Sequence, residues 1–209
     1  MTRSFRPAAV VTALSAALVL ATVSVSVGAA SAAPRSTSHE VATDADAGLP
    51  PYDTWISDVT VVADQAAQYL STRLTDSSVR SAIVLDIDNT ALETNYGSDS
   101  PTPATKPVLA LAEQAHKAGA AVIFVTARPG ILRSASEENL QSVGYPVDGL
   151  YMRGLFDFGD KAKFKTNARI EIEEEGYTIV ASIGNNDTDL TGGHAERTFK
   201  LPDYDGQLS

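Results

Sequence analysis

Apolar and polar positions along this chain alternate between two periods, and the alternation predicts its elements. Trp55, Val59, Val62, Ala66, Leu70 and Leu74 recur at three- and four-residue steps, the spacing of an amphipathic helix. Ala82, Ile83, Val84 and Leu85 then form an unbroken apolar run, which reads as a buried strand. A helix is expected over about 107–118, with Pro107 suited to its first turn and Gly119 to the cap beyond its last. A second apolar strand over 121–126, a helix over about 131–143 and a short strand over 149–152 follow. Phe164, Ala168 and Ile172 mark one face of a further helix that stops near Gly176. A buried strand over 177–183 and a weak one near 198–201 complete the series. Strands with continuous apolar runs alternating with helices imply an α/β fold, a three-layer Rossmann-like sandwich around a central parallel sheet. Only short insertions separate its parts, so no large cap domain is expected. The connection 90–106, rich in Pro and Ser, is longer than most turns and reads either as a substrate-facing flap or as a disordered surface loop.

The amino terminus breaks this pattern. Arg3 and Arg6 precede an apolar segment over 8–27, and small residues then lead to Ala30-Ser31-Ala32. That is the layout of a signal peptide over 1–32, with Ala33 opening the mature chain; an uncleaved anchor is the alternative. Residues 33–50 hold almost nothing large to bury and read as a flexible linker, which leaves 51–209 as one domain with a proper core. The mature chain is therefore expected to be secreted, with no stable membrane insertion after cleavage. Having no cysteine, it has no disulfide.

Charge narrows the partners. The chain has 16 basic and 26 acidic residues, and removing Arg3 and Arg6 leaves a mature net charge of −12. Such a balance argues against duplex nucleic acid. It also means that an anionic substrate must be held by a local group of cations and backbone donors.

The candidate chemistry lies where the strands end. The first runs into Asp86-Ile87-Asp88-Asn89-Thr90, and period-two geometry puts Asp86 and Asp88 on one side of the chain at the carboxyl edge of the sheet. Two acids so close imply either a shared proton or a hard metal such as Mg²⁺. The second strand ends in Thr126-Ala127-Arg128 and a later one in Gly184-Asn185-Asn186-Asp187-Thr188-Asp189. In a parallel sheet these three ends share an edge. Phosphoryl transfer is the leading reading, against the plainer one in which Asp and Asn simply close strands and cap helices.

These residues resemble the motifs of the haloacid dehalogenase superfamily of phosphohydrolases: D-x-D-x-T, a Thr after a strand, a Lys, and an acidic turn. The segments 85–93, 124–129, Phe164-Lys165-Thr166 and Glu174-Glu175-Gly176-Tyr177 look more narrowly like acid phosphatases of the class B type, which include plant vegetative storage proteins. The resemblance implies that Asp86 is the nucleophile forming an aspartyl-phosphate, and that Asp88 protonates the leaving alcohol and then activates water. It further implies that Thr126 hydrogen-bonds the phosphoryl group and Lys165 offsets its charge. Lys161 and Lys163 compete for that last role, but the aromatic-Lys-Thr step favours Lys165. Arg128 is expected either to form an internal ion pair, the favoured reading, or to contact substrate. Asp86, Asp88, Asn185 and Asp189 would hold Mg²⁺. Asn185 departs from the family pattern, which has Asp there; its amide oxygen can ligate a hard cation but brings no charge.

The function expected is a secreted, Mg²⁺-dependent acid phosphatase acting on small phosphomonoesters at an acid optimum. The alternative is a binding or storage protein that kept the fold and lost turnover. A cofactor-binding Rossmann protein is disfavoured, because no Gly-rich loop follows the first strand. Neither leaving group nor oligomeric state is legible, and His39, His116 and His194 are assigned no catalytic role.

Overall fold

The computed structural model describes residues 48–155 and 159–208. The expected signal peptide and all but the last three residues of the expected linker lie outside the described residues. Four α-helices and five strands occur among those that are described: α1 (Tyr52–Arg73), β1 (Ser81–Leu85), α2 (Lys106–Lys117), β2 (Ala121–Pro129), α3 (Arg133–Ser142), β3 (Gly149–Arg153), α4 (Lys161–Glu174), β4 (Thr178–Gly184) and β5 (Thr198–Lys200).

The strands form one parallel sheet in the order β3-β2-β1-β4-β5. β1 is central and every one of its residues is buried, as its apolar run required. Period two then sorts its side chains between the faces. Ile83 and Leu85 pack with Trp55, Leu70, Val108, Leu111 and Phe124, a core that joins the sheet to α1 and α2. Ala82 and Val84 pack with Ala168 and Ile172 of α4 on the opposite face. Helix, sheet and helix are thus the three layers.

The order of the strands fixes where a ligand can enter. The chain moves outward from β1 to β2 to β3, then crosses back past β1 to β4, so the order reverses between β1 and β4. Such a switch point leaves a crevice at the carboxyl ends of the two strands, because the connections leave on opposite sides. Leu85 pairs with Ile183 in register, and the Asp86 amide still donates to the Ile183 carbonyl at 3.1 Å. The residues after both strands therefore emerge side by side.

The structure differs from expectation in two places. β2 runs past Thr126 to Pro129, with a register shift against β3, and the helix expected over 131–143 opens as a 3₁₀ turn at Gly130–Leu132 before α3 begins. The shift in the ladder and the Pro129-Gly130 step prevent a direct entry into α-helix. The long connection after β1 is not a disordered loop: it faces the cavity with Thr94 and Asn95, as a substrate-facing segment would, but is pinned in place. Leu92 bridges Ala104, the Glu93 amide donates to Pro103, and Tyr96 stacks on buried Trp55 with ring centroids 4.5 Å apart. Backbone pairing and aromatic packing hold it against α1.

Candidate active site

A cavity of about 290 Å³ opens at the switch point, lined among others by Asp86, Asp88, Lys165, Asn185 and Leu208. Asp86 follows β1 directly and is 7% exposed. Lys165, from the second turn of α4, donates to Asp86 Oδ1 at 2.8 Å and also pairs with Asp189 Oδ1. One buried ammonium thus serves two buried carboxylates from different strand ends. Burial above all, then the neighbouring Asp189 charge, pushes the Asp86 carboxyl up to about 7, against the pull of Lys165. Burial also opposes charge on Lys165, but the two carboxylates outweigh it and raise its pKa above the usual lysine value.

Asp189 is held from every side. Gly184 is required beside it, since a Cβ at 184 would overlap the Asp189 side chain. Asp189 Oδ2 accepts from the Asn186 amide at 2.9 Å, and Asn186 in turn caps the short 3₁₀ turn Asp187–Asp189. Its carbonyl accepts from Ser182 Oγ at 3.0 Å and from Arg169 Nη1 at 2.8 Å. Arg169 is 1% exposed and also donates to the carbonyls of Thr191 and Gly193, so it fastens the whole loop after β4 to α4. Sequence reasoning missed Arg169. Its one signal was a position four residues beyond Lys165, which places the two side chains on the same face of a helix.

Asp88 belongs to a different group. Arg128 Nη2 donates to its Oδ1 at 2.6 Å and Nε to its Oδ2 at 3.0 Å, a bidentate pair, and Thr94 Oγ1 donates to Oδ1 at 2.9 Å. Burial would raise this carboxyl, but the Arg128 bonds and charge outweigh it and hold Asp88 below the usual carboxylate range. Its oxygens are thus committed to Arg128 and Thr94 rather than to the Lys165 group. Arg128 makes the internal ion pair that was favoured for it.

Thr126 is fully buried and its hydroxyl accepts from the Arg128 amide at 3.2 Å. Ala127, one residue on, lines the cavity where Thr126 does not. Of the competing lysines, Lys161 lines the cavity from the start of α4, whereas Lys163 is exposed and does not. Asn185 is 2% exposed and lines the same cavity as Asp86; Thr90 Oγ1 donates to its Oδ1 at 3.2 Å and accepts from its backbone amide at 3.1 Å.

Asp86 and Asn185 line the cavity and Asp189 joins Asp86 through Lys165; their oxygens are hard donors that suit a hard divalent cation in kind, although among the described residues no cluster of three or more acidic or histidine side chains could hold one. The set carries two formal negative charges, and Lys165 already answers one. An ion here would be held less firmly than by three carboxylates.

Residues 94–207 match the family model described as HAD superfamily, subfamily IIIB (acid phosphatase). Acid phosphatase 1 of Solanum lycopersicum is 29% identical over 164 residues, covering 68% of this chain and 64% of that protein. The stem 28 kDa glycoprotein of Glycine max is 31% identical over 119 residues, covering 54% of this chain and 47% of its own length. The chain therefore spans less than two thirds of each of these relatives. In fold it resembles the class C acid phosphatase from Bacillus anthracis, with TM-score 0.54 at 17% identity over 73% of this chain and 82% of that one.

Removing the shared cation exposes what it does. Lys165→Met leaves two buried carboxylates facing each other without a counter-charge, a change that costs about 3–5 kcal/mol. Urea denaturation at pH 8 is expected to show that loss, with only part of it recovered when Asp189→Asn is added, because that change removes the repulsion between the acids and leaves Asp86 buried without a counter-charge. A loss under about 1 kcal/mol would mean that Lys165 does not bind the two acids together.

Proposed function

Because the chain belongs to the acid phosphatases of HAD subfamily IIIB, we propose that it is a secreted, Mg²⁺-dependent acid phosphatase that hydrolyses small phosphomonoesters. The observation that carries this reading is the single buried ammonium of Lys165 between Asp86 and Asp189 in an open cavity. A phosphoryl group brings negative charge, and in a strongly acidic chain this is where a local cation meets it.

In this reading an Asp86 oxygen attacks phosphorus, the bond to the leaving oxygen breaks, and an aspartyl-phosphate forms. Lys165 pulls Asp86 toward its ionised form against burial and the Asp189 charge, and stays within reach of the developing charge on the phosphoryl oxygens. Asp88 donates a proton to the departing alkoxide and takes one from the water that later releases phosphate. Arg128 favours the second half of that cycle, since it holds Asp88 as a carboxylate; donation requires the pair to loosen. Thr126 supports the turn that places Ala127 and Arg128. Asp86, Asn185 and Asp189 would hold Mg²⁺, without the Asp88 side chain that the sequence also offers, since Thr94 and Arg128 engage its oxygens; the ion would supply charge neutralisation for Asp86 and the phosphoryl oxygens.

One feature favours a second reading, a protein that binds phosphate esters without turning them over. Asn185 brings no charge where the family pattern has a carboxylate. The same assay separates the two. Hydrolysis of an aryl phosphate by the purified chain is expected in Mg²⁺, is expected to fall at least tenfold in chelator, and is expected to vanish in a folded Asp86→Asn variant. Substantial turnover by that variant would remove the covalent step; absence of turnover in the parent chain would favour the binding protein.

Export rests on the residues before Ala33. Intact mass of protein recovered from culture medium is expected to begin at Ala33. Recovery only with cells, with Met1 retained, would replace secretion by anchoring.

A further inference from the structure

The carboxyl-terminal residues reach the site through a single carbonyl. Asn89 Nδ2 donates to the Leu208 carbonyl at 2.9 Å and Asn185 Nδ2 donates to the same oxygen at 2.7 Å, so two buried amides use both of its lone pairs. Leu208 is 1% exposed, its side chain packs in the core shared with α1, and it lines the same cavity as Asp86 and Lys165.

The segment behind it is held in a conformation it would not keep alone. Tyr204 and Asp205 lie at φ 50° and 56°, left-handed values that non-glycine residues hold only when their surroundings fix them. Tyr204 donates to Asp58 on α1 at 2.8 Å, the Leu208 amide donates to the Asp203 carbonyl at 3.1 Å, and Lys200 joins Asp203 to the Asn185 carbonyl at 2.7 and 2.5 Å. Residue 185 therefore meets the carboxyl-terminal segment through both its main chain and its side chain. Its orientation follows from its partner. The Leu208 carbonyl only accepts, so the amide nitrogen must face it and Oδ1 must face Thr90. A carboxylate at 185 would set lone pair against lone pair over a hydrogen-bond distance.

We propose that Leu208, backed by residues 203–207, forms a fixed wall of the site, and that Asn185, together with Asn89, is the positioning residue that clamps this wall through the Leu208 carbonyl. The amide at 185 is then a requirement of the wall. On the phosphatase reading proposed above, the wall limits the width of the leaving group, because it faces the cavity alongside Thr94 and Asn95.

The test uses the full chain in chelator, with amide exchange read at Gln207 and Leu208, whose N–H groups bond within the segment, and at β1 as the internal reference. Asn185→Asp and Asn89→Gly are each expected to speed exchange at 207 and 208 at least tenfold while β1 stays protected. Glycine suits position 89, where φ is 54°. Should Asn185→Asp loosen the whole domain, Asn89→Gly decides alone. Unchanged protection at 207 and 208 in Asn89→Gly overturns the clamp. Kinetics test the wall: Asn89→Gly is expected to change KM for a bulky aryl phosphate several-fold relative to methyl phosphate, with the ratio of kcat values kept. Equal KM changes for both esters overturn the wall. If the parent chain hydrolyses neither, the phosphatase reading fails while the exchange result still stands.

Discussion

Two buried carboxylates and one buried ammonium decide how this site is built. Asp86 and Asp189 come from different strand ends, and neither is stable there alone, since a buried unpaired charge is strongly disfavoured. Lys165 reaches both from α4, the helix that covers one face of the sheet with Ala168 and Ile172. The apolar face of α4 and its single inward lysine thus fix each other: packing sets the height of the ammonium, and the ammonium sets the rotation of the helix. The arrangement is costly in desolvation, and it is this cost that raises the Asp86 carboxyl.

The other parts of the site follow from the switch in strand order. β1 and β4 end together, so the turn after β1 and the turn after β4 meet, with Thr90 and Asn185 bonded between them. β2 stands one place further out and sends Arg128 back to Asp88. The two aspartates of one short turn therefore have opposite electrostatics. Asp86 is raised by burial and by Asp189, whereas Asp88 is lowered by Arg128. The two shifts run opposite to the proposed roles, since a nucleophile is served by the lower pKa and a proton donor by the higher: Asp88 as it stands suits uptake of a proton rather than its release, and Asp86 attacks only from its ionised form.

Much of this was legible in the sequence because it is local. The apolar run into Asp86 announced both the strand and its functional end, and the alternation of periods announced the layered fold. Lys165 was distinguished from Lys161 and Lys163 by the aromatic and threonine beside it, and it is the one that lies between the acids. The illegible parts depend on contacts made at long range. Arg169 acts on carbonyls some twenty residues ahead, which leave no trace in side-chain pattern. Leu208 reads as an ordinary apolar residue near the end of the chain, yet its backbone oxygen meets Asn89. Asn185 was legible as a departure and not as a clamp, because the partner that gives it meaning is a main-chain carbonyl.

In the proposed reaction Asp86 is the attacking group, and trapping the intermediate tests that most directly. Borohydride added during turnover of an aryl phosphate reduces an acyl phosphate to the alcohol, so mass analysis of the peptide bearing residue 86 is expected to find homoserine there and aspartate at position 88. Phosphate release by a protein whose residue 86 stays unmodified under that trap would contradict the account.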